Sequence, residues 1–293
     1  MSRIFEALQR SESERSGSAV PFQSSLATEL LEAAERELPE AQQAPRPVSE
    51  TPSGFRSLSA LVMPETRLVS LSDKESLAAE KFRFLGVRLR QLQQTRSLKR
   101  ILITSTLPEE GKSLVSANLA ATLARRQQQK VLLLEGDLRR PVLAQQIGHP
   151  KVPGLTEWLY EGQGPMNNIY FLEGAGFWLL PAGQPPENPL ELMQTGKLSG
   201  LLEQLTASFD WIIIDSPPLL PLADTSVWGR LADGVLLVVR EGKTEKRQLL
   251  RGLTNLDRSR LLGVVVNSCS GNDNKNYYSR YSPAVAAPEG ASQ

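Results

Sequence analysis

Five short stretches of this 293-residue chain are apolar at almost every position, not only at alternate positions. They are residues 100–104, 131–134, 211–214, 235–239 and 262–266. A strand that is apolar on both faces must be covered on both faces, which is typical of strands in parallel sheets. Helical patterns such as residues 113–126 lie between these strands. The sequence therefore predicts an α/β fold, with a parallel sheet covered by helices on both faces.

The ends of the chain differ in composition from this central part. Residues 11–60 are rich in Ser, Glu, Gln, Ala and Pro and contain only two aromatic residues, Phe22 and Phe55. Such a segment buries too little apolar surface to offset the entropy lost on ordering. We therefore predict a largely disordered N-terminal segment over residues 1–60, one domain over 61–270, and a flexible tail over 271–293.

Charge and composition exclude several classes of function. The 33 Lys and Arg residues nearly balance the 32 Asp and Glu residues, so no net field attracts the chain to nucleic acid. A single cysteine, Cys269, excludes an internal disulfide framework, and the single His149 argues against a Cys/His zinc site. No apolar run approaches the roughly 20 residues that span a bilayer, and the N-terminus lacks the apolar core of a secretory signal. We expect a cytoplasmic protein that does not bind nucleic acid.

Two helix starts can be predicted from local patterns. Ser72 and Glu75 fit a capping box ahead of a helix, whose apolar face recurs at Phe82, Leu85, Leu89 and Leu92. Asn188 followed by Pro189 fits an N-cap with proline at the first helical position.

The most specific motif lies between the first of the five apolar stretches and the helical pattern after it. It reads TLPEEGKS, which is the Walker A pattern with Thr106 in place of the first glycine. A loop of this kind points backbone N–H groups at phosphates and ends at a helix N-terminus that favours negative charge. The predicted nucleotide-binding residues in it are Thr106, Pro108, Glu109, Glu110, Gly111, Lys112 and Ser113. Lys112 would reach the β- and γ-phosphates, and Ser113 would ligate Mg²⁺.

Carboxylates follow two further predicted strands. Glu135 and Asp137 come after residues 131–134, and Asp215 directly follows residues 211–214, in the Walker B form. The carboxyl ends of parallel strands line one ligand crevice, so we expect these acids to lie beside the loop. Three acids around a phosphate loop favour metal-assisted phosphoryl chemistry. The predicted catalytic residues are Lys112 and the three acids, and the predicted Mg²⁺ ligands are Ser113, Asp137 and Asp215.

Three stretches together resemble motifs of the bacterial tyrosine kinases of capsule and exopolysaccharide synthesis. They are TSTLPEEGKS (104–113), LLLEGDLRRP (132–141) and WIIIDSPPLLPLAD (211–224). The likeness covers residues 65–283. These kinases are P-loop proteins of the ParA/MinD-like superfamily. The resemblance implies an ATP- and Mg²⁺-dependent protein-tyrosine autokinase that regulates polysaccharide synthesis or export.

The resemblance also implies roles for individual residues. An acid of the second motif, Glu135 or Asp137, would accept the proton of a tyrosine hydroxyl. Asn267 resembles a position that recognises adenine in related proteins, although a strand-end turn residue is an equal alternative. The acceptors would be Tyr277, Tyr278 and Tyr281, phosphorylated between the subunits of a ring.

Further expectations concern partners. Family members use a membrane-bound activator of the chain-length regulator type, which would recruit this chain to the inner face of the plasma membrane, and a cognate tyrosine phosphatase. The ring-forming motif Glu-x-x-Arg-x-x-Arg is matched at Glu80 and Arg83. Its third position is Gly86, with Arg88 two residues further on. Glu135 also departs from the pattern, because the family usually has Asp there.

Two other functions remain open from the sequence. A ParA/MinD-type ATPase shares the fold, but its signature lysine would stand at the position of Leu107. A nucleotide-binding regulatory scaffold without kinase activity would also carry these motifs. Phosphotyrosine formation distinguishes the kinase from both alternatives.

Overall fold

The structure is a computed structural model, which describes residues 55–59, 67–125, 129–162, 165–220 and 223–269. Most of the predicted N-terminal segment 1–60 lies outside the described residues. The whole of the predicted tail, 271–293, also lies outside them, and with it Tyr277, Tyr278 and Tyr281.

The described residues form one eight-stranded sheet. Its strands are β1 (Arg56–Ser59), β2 (Arg100–Ser105), β3 (Val131–Glu135), β4 (Tyr170–Glu173), β5 (Phe177–Leu180), β6 (Trp211–Asp215), β7 (Gly234–Arg240) and β8 (Leu261–Asn267). Their order across the sheet is β1-β4-β5-β3-β6-β2-β7-β8. All neighbouring pairs are parallel except β4 and β5, which run antiparallel. The predicted parallel sheet is thus confirmed.

Nine α-helices lie within the described ranges. They are α1 (Val69–Ser72), α2 (Leu77–Thr95), α3 (Lys112–Ala124), α4 (Leu143–Gln146), α5 (Leu155–Glu161), α6 (Pro189–Met193), α7 (Lys197–Ser208), α8 (Asp224–Leu231) and α9 (Lys246–Thr254).

The central strands send alternate side chains into two separate apolar cores. In β3, Val131 and Leu133 belong to the core that includes residues of α2 and α3, whereas Leu132 and Leu134 belong to the core that includes residues of α5 and α7. All four side chains are at most 2% exposed. Burial on both faces explains why these strands lack the apolar–polar alternation of a half-exposed sheet.

Of the two helix starts predicted from local patterns, one is confirmed and one is wrong. Asn188 caps α6, accepting from the Glu191 N–H, and Pro189 is the first helical residue, as predicted. The capping box at Ser72 was wrong, because α2 begins at Leu77 and its N-cap is Ser76, which accepts from the Ala79 N–H. The predicted apolar face of α2 does pack on the first core.

Strands β1, β4 and β5 were not predicted. The turn between β4 and β5 contains Gly174 and Gly176, both with positive φ, and it reverses the chain within three residues. Within the described ranges, no helix is long and apolar enough to span a membrane.

Candidate functional site

The phosphate loop, residues 106–111, connects β2 to the N-terminus of α3. Its last residue, Gly111, has φ = +95°, and a Cβ there would lie 2.0 Å from Nδ2 of Asn267. Both facts require glycine at this position. Because α3 follows directly, its first N–H groups and its dipole favour an anion at the loop.

Lys112 extends from the start of α3 towards the acid of the neighbouring strand end. Its Nζ lies 3.2 Å from Oδ2 of Asp137 and 3.5 Å from Oγ of Ser113. Burial by itself would lower the pKa of Lys112, but the carboxylates of Asp215 and Asp137 outweigh burial and raise it. The side chain therefore stays cationic at neutral pH.

Asp215 ends β6 and is fully buried. In the sheet it lies directly opposite Glu135 of β3. Its Oδ1 accepts from the Ser116 hydroxyl at 3.2 Å, whereas Oδ2 is buried without a hydrogen-bond partner among the described residues. Burial raises the pKa of Asp215, and the ammonium of Lys112 offsets part of that rise.

Glu135 is also fully buried, but its oxygens are all engaged by backbone N–H groups. Oε1 accepts from Val142 and Leu143 at 2.6 and 2.5 Å, and Oε2 accepts from Ala182 at 3.0 Å. Burial raises the pKa of Glu135, although these three hydrogen bonds oppose the rise. The side chain thus joins the segment after β3 to the segment after β5.

Asp137 has a different environment from Glu135. One oxygen faces Lys112, and the other accepts from the Arg140 N–H at 3.1 Å. Its side chain is 8% exposed, whereas Glu135 is fully buried. Of the two acids after β3, Asp137 is the one in contact with the Walker lysine.

The fit of these residues to Mg²⁺ can be tested from the chemistry of their oxygens. Within the described ranges, no group of three or more His, Cys, Asp or Glu side chains could hold a metal ion by itself. Mg²⁺ usually binds one or two protein carboxylates and completes its shell with phosphate oxygens and water. The unpartnered buried oxygen of Asp215, beside the hydroxyl-bearing start of α3, fits that arrangement.

The other predicted residues of the loop differ in burial, with Thr106 and Glu110 buried and Pro108 and Glu109 exposed. Thr106 is fully buried, and its methyl group and hydroxyl lie against Gly252 of α9, where a Cβ would stand 3.3 Å from the methyl carbon. Glu110 is fully buried as well, whereas the carboxylate of Glu109 is exposed and pairs with Lys243 at 3.0 Å. Asn267 donates from Nδ2 to the Glu110 carbonyl at 2.9 Å.

The structure also brings in residues that the sequence analysis did not single out. Arg139 forms two hydrogen bonds to Asp224, at 2.6 and 3.1 Å, which join the loop after β3 to the start of α8. Trp228 of α8 donates to the Gly136 carbonyl at 3.1 Å, and a Cβ at Gly136 would lie 2.8 Å from its ring. Arg139 lies in the motif at residues 132–141 and Asp224 in the motif at residues 211–224, so the sequence motifs could have indicated both as site residues.

The residues proposed for oligomerisation lie on α2. Arg83 donates to Glu80 on the same helix and, at 2.8 Å, to the Lys74 carbonyl, and Arg88 donates to Gln91 at 3.2 Å. Gly86 is buried, and a Cβ there would stand 3.3 Å from Thr122 of α3. The absence of a side chain thus allows a close approach of α2 to α3.

A parallel sheet with helices on both faces, a phosphate loop after β2 and acids at two further strand ends together define a P-loop protein. The chain belongs to the bacterial tyrosine-protein kinases. It is 33% identical to the tyrosine-protein kinase YwqD of Bacillus subtilis over 205 residues, which cover 69% of this chain and 86% of YwqD. It is 30% identical to the putative tyrosine-protein kinase CapB of Staphylococcus aureus, covering 71% of this chain and 91% of CapB.

Longer relatives match over part of their length only. The tyrosine-protein kinase Wzc of Salmonella typhimurium is 28% identical, over 73% of this chain and 30% of Wzc. Among solved structures, the kinase domain of the Escherichia coli tyrosine kinase Etk superposes with a TM-score of 0.64 at 27% identity, covering 74% of this chain and 91% of that domain. No family model matches the chain.

Proposed function

We propose that this chain transfers the γ-phosphoryl group of ATP to tyrosines of its own C-terminal cluster, and that this modification regulates exopolysaccharide or capsule synthesis or export. The observation that carries the proposal is the contact of Lys112 with Asp137 beside Asp215, at the end of a phosphate loop, in a chain of the tyrosine-kinase family.

The loop residues would hold the phosphates of ATP. Backbone N–H groups of residues 106–111 and of the first turn of α3 would bind phosphate oxygens. Lys112, held cationic by its two acidic neighbours, would neutralise the charge that develops on the transferred group. To do so, its ammonium must exchange its contact with Asp137 for one with the phosphate.

Ser113, Asp137 and Asp215 would hold Mg²⁺. An ion held there would supply positive charge against the negative charge that develops during transfer. The unpartnered oxygen of Asp215 supports its assignment, because a buried carboxylate oxygen without a donor gains most from a cation.

Of the two acids after β3, Asp137 is better placed than Glu135 to accept the tyrosine proton. All the hydrogen bonds of Glu135 tie it to backbone N–H groups, and it is 0% exposed. In the proposed step, Asp137 takes the phenolic proton as the tyrosine oxygen bonds to the γ-phosphorus. The bond from that phosphorus to the bridging oxygen breaks, and ADP leaves with the electron pair. A base is needed because tyrosine has a pKa of about 10 and little phenolate exists at neutral pH.

The acceptors that we propose are Tyr277, Tyr278 and Tyr281, which begin ten residues after the last residue of β8. Their polar, small-residue surroundings favour a segment that can enter an active site. We propose transfer between subunits, with Glu80, Arg83 and Arg88 of α2 at the subunit contact. Accumulated phosphate would then separate the subunits by repulsion.

The partners that we propose are a separate membrane-bound activator, which would bring the chain to the inner face of the plasma membrane, and a cognate tyrosine phosphatase. Relatives support the biological setting, because one of them is the succinoglycan biosynthesis transport protein ExoP of Rhizobium meliloti, 32% identical over 229 residues.

The test is phosphotyrosine mass spectrometry of the full chain after incubation with Mg-ATP, beside Lys112→Met. A parallel incubation contains the cytoplasmic tail of a candidate membrane partner. We expect phosphate on at least one of the three tail tyrosines, and none in the variant. An unmodified tail in both incubations, with ATP still bound, would replace the kinase by the nucleotide-binding scaffold.

A further inference from the structure

The phosphate loop contains few of the glycines that usually let such a loop adopt its shape. Between residues 106 and 111 the only glycine is Gly111, and Thr106 stands at the first position. Glu109 has φ = +63°, a left-handed conformation that disfavours residues with a side chain. A loop of this composition needs contacts from outside to hold its conformation.

Glu110 receives one such contact. Its carboxylate is 0% exposed, which is costly for a charged group unless every oxygen has a donor. Oε2 accepts from the Leu107 N–H at 2.8 Å, within the loop, and Oε1 accepts from the hydroxyl of Thr244. A carboxylate only accepts hydrogen bonds, so the Thr244 hydroxyl is the donor in this contact, which is shorter than its other contact, at 3.2 Å, with the Arg240 carbonyl.

The position of Thr244 is itself fixed. It lies in the turn after β7, and its hydroxyl oxygen accepts from the Arg240 N–H at 3.0 Å. With 8% of its surface exposed, it is almost excluded from water. The turn after β7 therefore presents one oriented donor to the phosphate loop.

Asn267, the last residue of β8, makes the second contact. Its Nδ2 donates to the Glu110 carbonyl at 2.9 Å, and its Oδ1 accepts from the Ser268 N–H at 2.9 Å. The same amide occupies the space beside Gly111 that a Cβ would need. The side chain that resembles an adenine-recognising position is thus attached to the backbone of the phosphate loop.

We propose that Thr244 and Asn267 are positioning residues, which together form an outer latch that holds the phosphate loop in its binding conformation. The latch acts on the phosphate-binding half of the site and not on the base. It deepens the proposed function, since it rests on the same nucleotide site, but it does not require that phosphate reach tyrosine. Loss of either contact weakens binding of any ligand that carries the polyphosphate group.

The first experiment compares Thr244→Val with Thr244→Ser in the full chain. The measurements are the Kd of Mg-ADP by calorimetry and the hydrogen exchange of the amides of residues 106–111 without ligand. We expect Thr244→Val to weaken binding about tenfold or more and to speed exchange in the loop, because the Glu110 carboxylate loses its donor. Thr244→Ser, which keeps the hydroxyl, should restore both values.

The matched control is Thr254→Val. Thr254 is exposed on α9, and its hydroxyl donates only to the Arg251 carbonyl of the same helix, at 2.7 Å. This variant should bind and exchange like the wild type. The role of Thr244 would be overturned if Thr244→Val had the Kd and exchange rates of the wild type. It would also be overturned if Thr244→Ser bound Mg-ADP as weakly as Thr244→Val.

The second experiment uses Asn267→Ala, which leaves the contact between Thr244 and Glu110 in place and so keeps the test open if Thr244→Val does not fold. The probes are Mg-ADP and Mg-tripolyphosphate, which has no base. The latch predicts weaker binding of both probes, with Asn255→Ala, an exposed asparagine after α9, as the unaffected control. If Asn267→Ala weakens the binding of Mg-ADP but not of Mg-tripolyphosphate, Asn267 contacts adenine, and its place in the latch is overturned.

Failure of the latch is distinct from failure of the proposed function. If the wild type binds both probes but forms no phosphotyrosine, the kinase assignment fails while the latch can still be measured. If phosphotyrosine forms and the variants bind as well as the wild type, only the latch fails.

Discussion

Two acids at opposite ends of the central strands, Asp233 and Asp215, are held in different ways. At the amino end, Asp233 accepts from the Lys99 and Arg100 N–H groups at 3.0 and 2.8 Å, and from the Arg100 guanidinium at 2.6 and 3.1 Å. At the carboxyl end, Asp215 is fully buried, and one of its oxygens has no partner in the described part of the chain.

The pKa values show the same difference. Burial would raise the pKa of Asp233, but the hydrogen bonds from Arg100 and Lys99 outweigh it and lower the pKa, so folding favours the ionised form. Burial raises the pKa of Asp215, so folding disfavours its charge. An acid with all its donors stabilises the fold, whereas burial of the Asp215 charge lowers stability, which we expect of a residue that binds a ligand from outside the chain.

The largest effect should follow Asp215→Asn. The substitution keeps the shape of the side chain and an acceptor for Ser116 but removes the charge. We expect phosphotyrosine formation to fall by about 100-fold or more. The melting temperature should stay the same or rise, because burial disfavours the Asp215 charge by more than the Lys112 ammonium stabilises it. A large loss of stability would contradict the contrast between the two ends.

Lys112→Met should reduce stability as well as activity. It leaves Asp137 and Asp215 buried without their shared cation, at a cost of about 3 kcal/mol for a broken buried pair. The double variant Lys112→Met with Asp215→Asn should recover much of that stability in chemical denaturation, and none of the activity. A double variant that is less stable than Lys112→Met alone would show that the two groups are not coupled in this way.

Asp233→Asn tests the amino end. The Arg100 guanidinium would lose a charged acceptor, and we expect a loss of about 2 kcal/mol in the free energy of unfolding. The Kd of Mg-ADP should not change, since Asp233 lies at the other end of the strands. Asp257→Asn, which removes an exposed acid that pairs with Arg260 at 3.4 Å, is the control and should change stability little.

The smallest effect is the pH dependence of stability. Because the folded pKa of Asp215 is raised above its ordinary value of 3.8, the wild type should gain stability relative to Asp215→Asn as the pH falls through the raised pKa towards 3.8. The folded pKa of Asp233 is lowered, so its advantage over Asp233→Asn should persist above 3.8 and be lost as the pH falls below that value. Melting curves of the wild type and the two variants from neutral to acidic pH measure how the stability of each protein changes with pH. The same pH dependence in all three proteins would contradict the difference between Asp215 and Asp233.

Only the site at the carboxyl end of the strands could be predicted from the sequence. The apolar runs ending in Glu135 and Asp215 predicted which side chains meet, because parallel strands deliver their carboxyl ends to one edge. Nothing local marks Thr244 as a contact of Glu110, since 134 residues separate them and a threonine in a turn has many roles. The N-cap predicted at Ser72 lies at Ser76 instead, because Ser72 is the last residue of α1 and α2 begins only at Leu77.

The strands that the sequence analysis missed are only four residues long, and of the three only β5, Phe-Trp-Leu-Leu, is apolar throughout. β1 reads Arg-Ser-Leu-Ser and is mostly exposed, so its only signature is its pairing with β4. The difference between Glu135 and Asp137 was also beyond the sequence. Both are acids after the same strand, and only the folded backbone shows that three N–H groups converge on the first of them.

The packing of Thr106 against Gly252 links the phosphate loop to a helix 146 residues away in sequence. A side chain at the first position of the loop takes up space that α9 must leave free. The two positions should therefore vary together during evolution. Relatives with glycine at the loop position should tolerate larger residues in the helix, and those with threonine should keep the helix residue small.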